Sequence, residues 1–558
     1  MSRIRPVITA VCAALLAVGT VTLSSAPAGA DTPTVELNSQ NPVTAEPPVS
    51  RPRTHSCTET LANAFPSNTA DGTPQNFTGT LAPPSACPGP WAKVVLDWTT
   101  SVQGRQYDRS GSLNIGTTQI YFGTTYEPDP DGITYHFAKD LTEYSALLHG
   151  SRSFNGGIGN YTSSIYTGVY TQTVTLTYYQ ADRANPAPSE PDAVVGIGSQ
   201  DASPGTPTVH FAAAGLPRNI TRAYLEVYIK GNGCDEQWFT DVPNDVSALY
   251  PAAGLCANGP YREVDAAIDG RPAGVTQYFP YIYTGGIVPT LWRPIPAVGT
   301  FDMSPEILDV TPFVGDLVDG AGHDVTLSVA NLGDVWNLSA NLLLYTDKHA
   351  AVTSGAVLTD SIAPTATTRT TEQSGSAGAV TATVTANRAW TVSGYVNTSA
   401  GRVTTSVSQE SSYRNADTVS AGGFSQHVVQ ADSGWNRSVS RGAGAARLST
   451  HDWSYPITVD ENAQVTDDNN FTLSGSVDMT RRLTDTLTDT TGTHVLDNST
   501  DEVSTTANDQ RAAGVTVAAD GAGWQHYVGT DDAGGWYDHY LAGAHGYLTA
   551  DRLRVLPH

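Results

Sequence analysis

The sequence predicts an all-β protein built from two adjacent jelly-roll β-sandwiches and a further β-rich C-terminal domain. Three observations carry this expectation. Period-two alternation of apolar residues with Thr or Ser recurs, as at 172–179 and 380–396. Long helical periodicity is almost wholly missing. Finally, one unit is repeated. Residues 107–116 (YDRSGSLNIG) match 261–270 (YREVDAAIDG) in length and in the closing turn glycine. Asp140-Leu-Thr-x-Tyr144, followed by Leu147, Leu148 and Gly150, is echoed by Asp309-Val-Thr-x-Phe313, followed by Leu317, Val318 and Gly320. Each of these reads as an Asp-capped helical turn with an aromatic and Leu on one face, leading into a Thr/Val-rich strand. Two copies of such a unit suit two side-by-side sandwiches, because stacked sheets bury alternate residues without helices.

The elements follow in order. Residues 1–30 read as a cleavable export signal: Arg3 and Arg5 are basic, 7–23 is mostly apolar, and Ala28-Gly29-Ala30 is a small-residue cleavage site. The mature chain is expected to start near Asp31 and to be secreted. Residues 31–90, rich in Pro, Thr, Ser and Asn, read as an extended arm. The first jelly roll is placed at 91–180, a Pro-rich linker at 181–195, the second jelly roll at 196–349 and the C-terminal domain at 350–558. No later stretch approaches the ~18 apolar residues of a membrane span. The net charge of −25 argues against nucleic acid or an anionic membrane as partner.

Four cysteines remain after the signal: Cys57, Cys87, Cys234 and Cys256. An even number in an exported chain reads as disulfides. Three pairings are possible, and loop lengths favour Cys57 with Cys87 and Cys234 with Cys256. No C-x-x-C occurs and no cysteine of the mature chain is expected to serve as a nucleophile or zinc ligand.

The common catalytic motifs are missing: there is no H-E-x-x-H, no G-x-S-x-G and no phosphate loop. His526, His539 and His545 are the nearest thing to a histidine cluster, at spacings that match no standard metal site, so a surface or loop role is expected. Carboxylate chemistry remains, and two segments offer it. In GRQYDR (104–109), Asp108 stands beside Arg109, which can hold it ionised. In CDEQWF (234–239), Asp235 and Glu236 stand beside Trp238 and Phe239, a combination suited to sugar, whose CH faces stack on aromatic rings.

Residues 91–347 resemble the peptide:N-glycosidase A family of glycoasparagine amidases. The matching segments, in order, include KVVLDW (93–98), GRQYDR (104–109), Glu127-Pro128, DLTEYSALL (140–148), YTGVY (166–170), YLEVYI (224–229), YTGGIVPTLWRPI (283–295) and DVTPFVGDLVDG (309–320). A more distant likeness is to the peptide:N-glycosidase F type, two jelly rolls with the active site between them. The resemblance implies hydrolysis of the amide joining GlcNAc to asparagine in N-glycopeptides or N-glycoproteins, with release of the glycan as a glycosylamine and conversion of Asn to Asp. It implies Asp108 and Glu236 as catalytic residues, one from each sandwich. A third acid of the F type would fall where this chain has Gly168, and Glu127 is the expected substitute. Arg109 and Arg293 are the expected substrate-binding arginines, with Asp235, Trp238 and Trp292 contacting the first sugars. No metal or other cofactor is expected, and the chain is read as a monomer. The competing readings are a non-catalytic glycan-binding protein and an endo-acting glycoside hydrolase.

Overall fold

The computed structural model describes residues 37–556 apart from 69–75, 130, 364, 367, 376, 377, 444 and 468. The expected export signal lies outside the described residues. Eight strands form the first sandwich: β1 (Ser56–Ser67), β2 (Phe77–Leu81), β3 (Trp91–Val102), β4 (Ser110–Ile115), β5 (Thr118–Thr124), β6 (Ile133–Asp140), β7 (Arg152–Ile158) and β8 (Tyr170–Gln180). They pair in two four-stranded sheets, β1-β8-β3-β6 and β2-β7-β4-β5. The second sandwich holds β9 (Ala193–Ala202), β10 (Thr208–Ala213), β11 (Ile220–Gly231), β12 (Val264–Ile268), β13 (Arg271–Thr276), β14 (Glu306–Asp309), β15 (His323–Val329) and β16 (Trp336–Thr346). Its sheets are β9-β16-β11-β14 and β10-β15-β12-β13. With its strands counted from one, the second sandwich has the order of the first. Both are jelly rolls, and the sequence repeat is a structural repeat.

The repeated segments occupy equivalent places. The 107–116 and 261–270 copies lead into β4 and β12 and end on turn glycines with positive φ, Gly116 at 59° and Gly270 at 77°. The two Asp-capped turns follow the sixth strand of each sandwich. The Thr142 backbone N–H donates to Asp140 Oδ1 at 2.9 Å, and Thr311 N–H to Asp309 Oδ1 at 2.9 Å. Each turn buries its aromatic, Tyr144 or Phe313. Alternate residues of the strands fill the cores, such as Val94, Leu96 and Trp98 in the first and Leu225, Val227, Leu342 and Leu344 in the second. Each such side chain contributes roughly 1.5–3 kcal/mol.

One boundary differs from the expectation. The first jelly roll begins at Ser56 rather than Trp91, because β1 and β2 complete its two sheets. β1 sits at a sheet edge and buries few of its side chains, so it carries no apolar period. Among the described residues, 37–55 form the arm, and it is fastened along the molecule. Gln40 N–H donates to Gly546 O at 2.9 Å, Val43 N–H to Pro294 O at 3.1 Å and Ala45 N–H to Gln525 Oε1 at 2.7 Å. Cys57 and Cys87 form a disulfide with Cα atoms 6.0 Å apart, pinning β1 to the loop before β3.

The C-terminal region is one antiparallel sheet of twelve strands among the described residues. These are β17 (Ser354–Asp360), β18 (Arg369–Ser374), β19 (Val380–Thr398), β20 (Gly401–Val419), β21 (Ser425–Gly442), β22 (Ala445–Ser454), β23 (Ile457–Asp467), β24 (Asn470–Asp489), β25 (Gly492–Ala512), β26 (Val515–Thr530), β27 (Trp536–Ala544) and β28 (Tyr547–Leu556). The second jelly roll covers its inner face. Val392, Val407, Tyr413, Val428 and Val477 share one core with Phe239, Trp292 and Val310. His526, His539 and His545 lie in cross-strand or loop pairs with Asp538, Asp551 and Asp520 at 3.0, 3.0 and 2.7 Å. Among the described residues no helix is long and apolar enough to cross a membrane.

Candidate active site

Four connections build the site, and they are equivalent in pairs. The third-to-fourth strand connections (103–109 and 232–263) carry Asp108 and Glu236. The fifth-to-sixth connections (125–132 and 277–305) carry Glu127 and the Gly285–Arg293 segment.

The first-sandwich loops are braced by backbone-directed hydrogen bonds. Gln106 is buried and its Nε2 donates to the carbonyls of Tyr161, at 2.8 Å, and Gly168, at 3.2 Å. Tyr170 spans the two loops, its hydroxyl meeting the carbonyls of Tyr107 at 2.7 Å and Tyr126 at 3.1 Å. Burial pushes the Tyr170 phenol well above its ordinary pKa, so it remains a proton donor at any working pH. Asp108, held between these supports, is 5% exposed.

Gly285 is the meeting point. Its N–H donates to Asp108 Oδ2 at 3.0 Å. A Cβ placed on it would collide with Glu127 Oε1 and lie 3.2 Å from Asp108 Oδ1. Both carboxyls therefore converge on one glycine, where a side chain would displace the Glu127 carboxyl. Thr284 fixes the register: its hydroxyl donates to Thr125 O at 2.8 Å and accepts the Glu127 N–H at 3.2 Å. Glu127 is buried, and its Oε2 lies 3.9 Å from Arg293 Nη2. Arg293 also donates to Leu37 O at 2.7 Å and Pro128 O at 3.4 Å. Leu37 belongs to the arm, which is held further by Asn38 Nδ2 donating to Asp131 Oδ2 at 3.0 Å and Ser39 N–H to Asp129 Oδ2 at 2.8 Å. The arm thus holds the arginine that faces Glu127.

Glu236 comes from a kinked 3-10 segment, Gly233–Thr240, and is 9% exposed. Gln237 joins it to the meeting point, because a Cβ on Gly286 would lie 3.0 Å from Gln237 Nε2. Gln237 departs from helical geometry at φ −122° and ψ 48° and is 2% exposed. Neither its Nε2 nor its Oε1 has a hydrogen-bond partner among the described residues. Sequence reasoning passed over Gln237 and Gly285. The signal for the second was the Gly285-Gly286 pair inside an otherwise bulky segment.

The structure brings Asp108, Glu127 and Arg293 together at the Gly285 loop, and Gln237, the residue after Glu236, lies against the adjoining Gly286. The other residues singled out from the sequence are placed as follows. Gly168 has no room for a side chain, since its Cβ would lie 2.9 Å from Gln106 Cβ. Asp235 spends its carboxylate on the fold. It is fully buried, 2.8 Å from Arg262 Nη2, and it accepts from Gly333 N–H at 2.8 Å and Trp336 Nε1 at 2.5 Å. Trp238 and Trp292 are core residues, 3% and 0% exposed. Trp292 Nε1 donates to Gly286 O at 2.9 Å and so steadies the Gly285 loop. Arg109 does not turn to Asp108 for its hydrogen bonds: its Nη2 donates to Gln106 Oε1 at 2.7 Å and its guanidinium lies over the Tyr107 ring. Its Nε is buried with no acceptor among the described residues. Cys234, half-buried, and Cys256, buried, both lie in the 232–263 connection.

A double jelly roll in which buried carboxyls of one half meet a glycine loop of the other is the class this fold and site define. The chain belongs to the peptide N-acetyl-β-D-glucosaminyl asparaginase amidase A family, whose pattern matches residues 47–363. The family's C-terminal domain pattern matches 381–457. A curated relative, peptide-N4-(N-acetyl-beta-glucosaminyl)asparagine amidase A of Prunus dulcis, is 31% identical over 409 residues, covering 69% of this chain and 70% of that one. Among solved structures, recombinant peptide:N-glycanase F is similar at 15% identity and a TM-score of 0.35, over 52% of this chain and 96% of that one. A structure of PNGF-II is similar at 12% identity and a TM-score of 0.35, over 52% of this chain and 66% of that one.

Proposed function

We propose that the chain is a secreted amidase that hydrolyses the bond between GlcNAc and asparagine in N-glycopeptides. The observation that carries the reading is the convergence of Asp108 and Glu127 on Gly285, beside the connection that supplies Glu236. An amide is a poor electrophile with a poor leaving group, so it needs a positioned water, a base and a proton donor. Asp108, fixed through Oδ2 by the Gly285 N–H, holds and deprotonates the water with Oδ1. The water oxygen adds to the amide carbonyl carbon, the carbon–nitrogen bond breaks, and Glu236 delivers the proton to the departing nitrogen. The products are an Asp-containing peptide and a glycosylamine. Glu127, braced by Arg293, binds the sugar hydroxyls nearest the amide. Arg109 offers its unused Nε, and Gln237 its two unused amide atoms, to the substrate's own amide groups. The export signal at 1–30 and a Cys234–Cys256 bridge belong to the same proposal.

The test is mass spectrometry of a defined N-glycopeptide incubated with the mature chain in heavy-oxygen water. The expected product is peptide with Asp carrying heavy oxygen, together with intact glycan. Asp108→Asn is expected to remove this product while the chain stays folded, since Asn keeps an acceptor for Gly285. A peptide retaining one GlcNAc, or an active Asp108→Asn enzyme, refutes the assignment.

A further inference from the structure

A second cleft lies between the C-terminal sheet and β14, the edge strand of the second jelly roll. Its cavity is about 520 Å³, within the range of small-ligand sites. One wall is a single cross-strand row on the inner face of the large sheet: Gln409, Asn436, His451, Asp485 and Asp497, paired in register across β20, β21, β22, β24 and β25. Inner-face positions of a sheet that packs on a core ordinarily carry apolar side chains. The adjacent cross-strand position does so, with Trp453 opposite Leu483. Five polar residues in one row call for a polar occupant.

The row's hydrogen bonding is incomplete. Asn436 Nδ2 reaches Gln409 Oε1 only at 3.4 Å, and Gln409 Nε2 reaches Gln277 Oε1 at 3.3 Å, both beyond the usual range. Asp497 Oδ1 is buried and accepts from no donor among the described residues. Buried polar atoms are ordinarily satisfied, so unmet ones on residues that line a cavity point to a ligand that completes them. Four acids, Glu306, Asp309, Asp485 and Asp497, line the space with Arg481 and His451. Asp485 is bonded to His451 at 2.6 Å, Asp309 accepts from Thr311 N–H and Ser438 Oγ, and Glu306 accepts from Thr276 Oγ1. Three of the four acids are thus met by donors of the protein itself, which leaves no cluster of cations for an anion. Among the described residues, the one His, Cys, Asp or Glu group compact enough for a metal is His55, Cys57 and Cys87, and two of these are joined in the disulfide. Amides, a His–Asp pair and the rings of Trp453, Tyr281 and Tyr455 suit a neutral polyhydroxyl ligand.

We propose that this cleft binds a neutral oligosaccharide, about two or three sugar residues long, along the Gln409–Asn436–His451–Asp485–Asp497 row. Tyr281 of the cleft and Gly285 of the candidate active site share one loop, so their α-carbons are at most about 14 Å apart. That the bound sugar is the outer part of the substrate glycan rests on the amidase reading; the existence of the cleft as a saccharide site does not.

The experiment uses the full mature chain carrying Asp108→Asn, with mannotriose and N,N′-diacetylchitobiose as probes, read by saturation-transfer NMR and calorimetric titration. At least one sugar is expected to bind, and to bind tenfold or more weakly after His451→Ala or Asn436→Ala. Melting and circular dichroism confirm that each variant folds, and Asp497→Asn replaces either one that does not. No binding of either sugar, binding untouched by these variants, or equal binding of an acetylated peptide without sugar overturns the proposal. Wild-type turnover of a glycopeptide, measured alongside, scores the amidase reading separately. Sugar binding that depends on the row, without turnover, supports the cleft and rejects only its link to the amide chemistry.

Discussion

Gln237 offers a test in which stability and activity are expected to move in opposite directions. It is 2% exposed, and neither atom of its amide has a partner among the described residues. Each unsatisfied buried polar atom costs about 1–3 kcal/mol. Methionine nearly conserves the volume and removes both atoms, with a repacking loss under about 1.5 kcal/mol. Gln237→Met is therefore expected to raise the unfolding free energy by about 1–3 kcal/mol, measured by urea denaturation. The same substitution removes the group proposed to meet the substrate amide. Losing hydrogen bonds worth about 1–3 kcal/mol in the transition state lowers kcat/KM by about 5- to 150-fold. The assay is steady-state turnover of a glycopeptide, with denaturation on the same preparation. A Gln237→Met enzyme that is less stable and fully active would refute the reasoning, since the amide would then be serving the fold.

Three other outcomes are expected. Gly285→Ala places a methyl against Glu127 Oε1 and near Asp108 Oδ1. Misplacing catalytic groups by about 1 Å costs on the order of 100-fold, so kcat should fall by that factor with little change in melting temperature. A mature chain lacking residues 31–40 loses the Leu37 carbonyl from Arg293 and the Ser39 contact with Asp129. Its kcat is expected to fall about tenfold while its circular dichroism is unchanged, consistent with the ~1.5–3 kcal/mol of a hydrogen bond to a charged group. Stability should be greatest in acid: burial raises the carboxyls of Asp417 and Asp432 from 3.8 to about 7. Because the folded state binds these protons more tightly than the unfolded chain, their contribution is complete below about pH 4. It is lost as pH rises through 7, at about 1.4 kcal/mol per pH unit for each group. Urea midpoints from pH 4 to 8 should fall accordingly, and Asp417→Asn should flatten the slope by one group's share.

The two jelly rolls were legible because their signals are local. The closing glycines and the Asp-capped turns recur at fixed offsets, and the structure puts them at equivalent strands. β1 was not legible: as an edge strand with mostly exposed side chains, it had no apolar face to write into its sequence. Within the site, Asp108 could be found from its own segment, but the position of Glu127 depends on the approach of Gly285, 158 residues away, which no local pattern encodes. The aromatic residues misled for the same reason. Trp238 and Trp292 stand among acids and glycines in sequence, yet tertiary packing puts both in the core. Asp235 looked like half of an acidic pair. Its charge is met by Arg262, 27 residues further on.

That arginine also shows how the repeat has diverged. Aligning the copies at Tyr107 and Tyr261 sets Asp108 against Arg262. In the first copy the position carries an acid, fixed by the Gly285 N–H of the other sandwich. In the second it carries a cation that turns inward, bonding Asp235 at 2.8 Å and Asp241 at 2.6 Å, with all three side chains buried. Burial alone would hold Asp241 far above the ordinary carboxylate range, and the Arg262 guanidinium opposes that shift. Removing one partner of such a buried network costs about 3–5 kcal/mol, because the remaining charge is left uncompensated. Asp235 and Asp241 bracket the segment that carries Glu236 and Gln237. One copy therefore presents its acid directly at this position. The other uses the same position as a clamp, holding at both ends the turn from which its own acid and amide are presented.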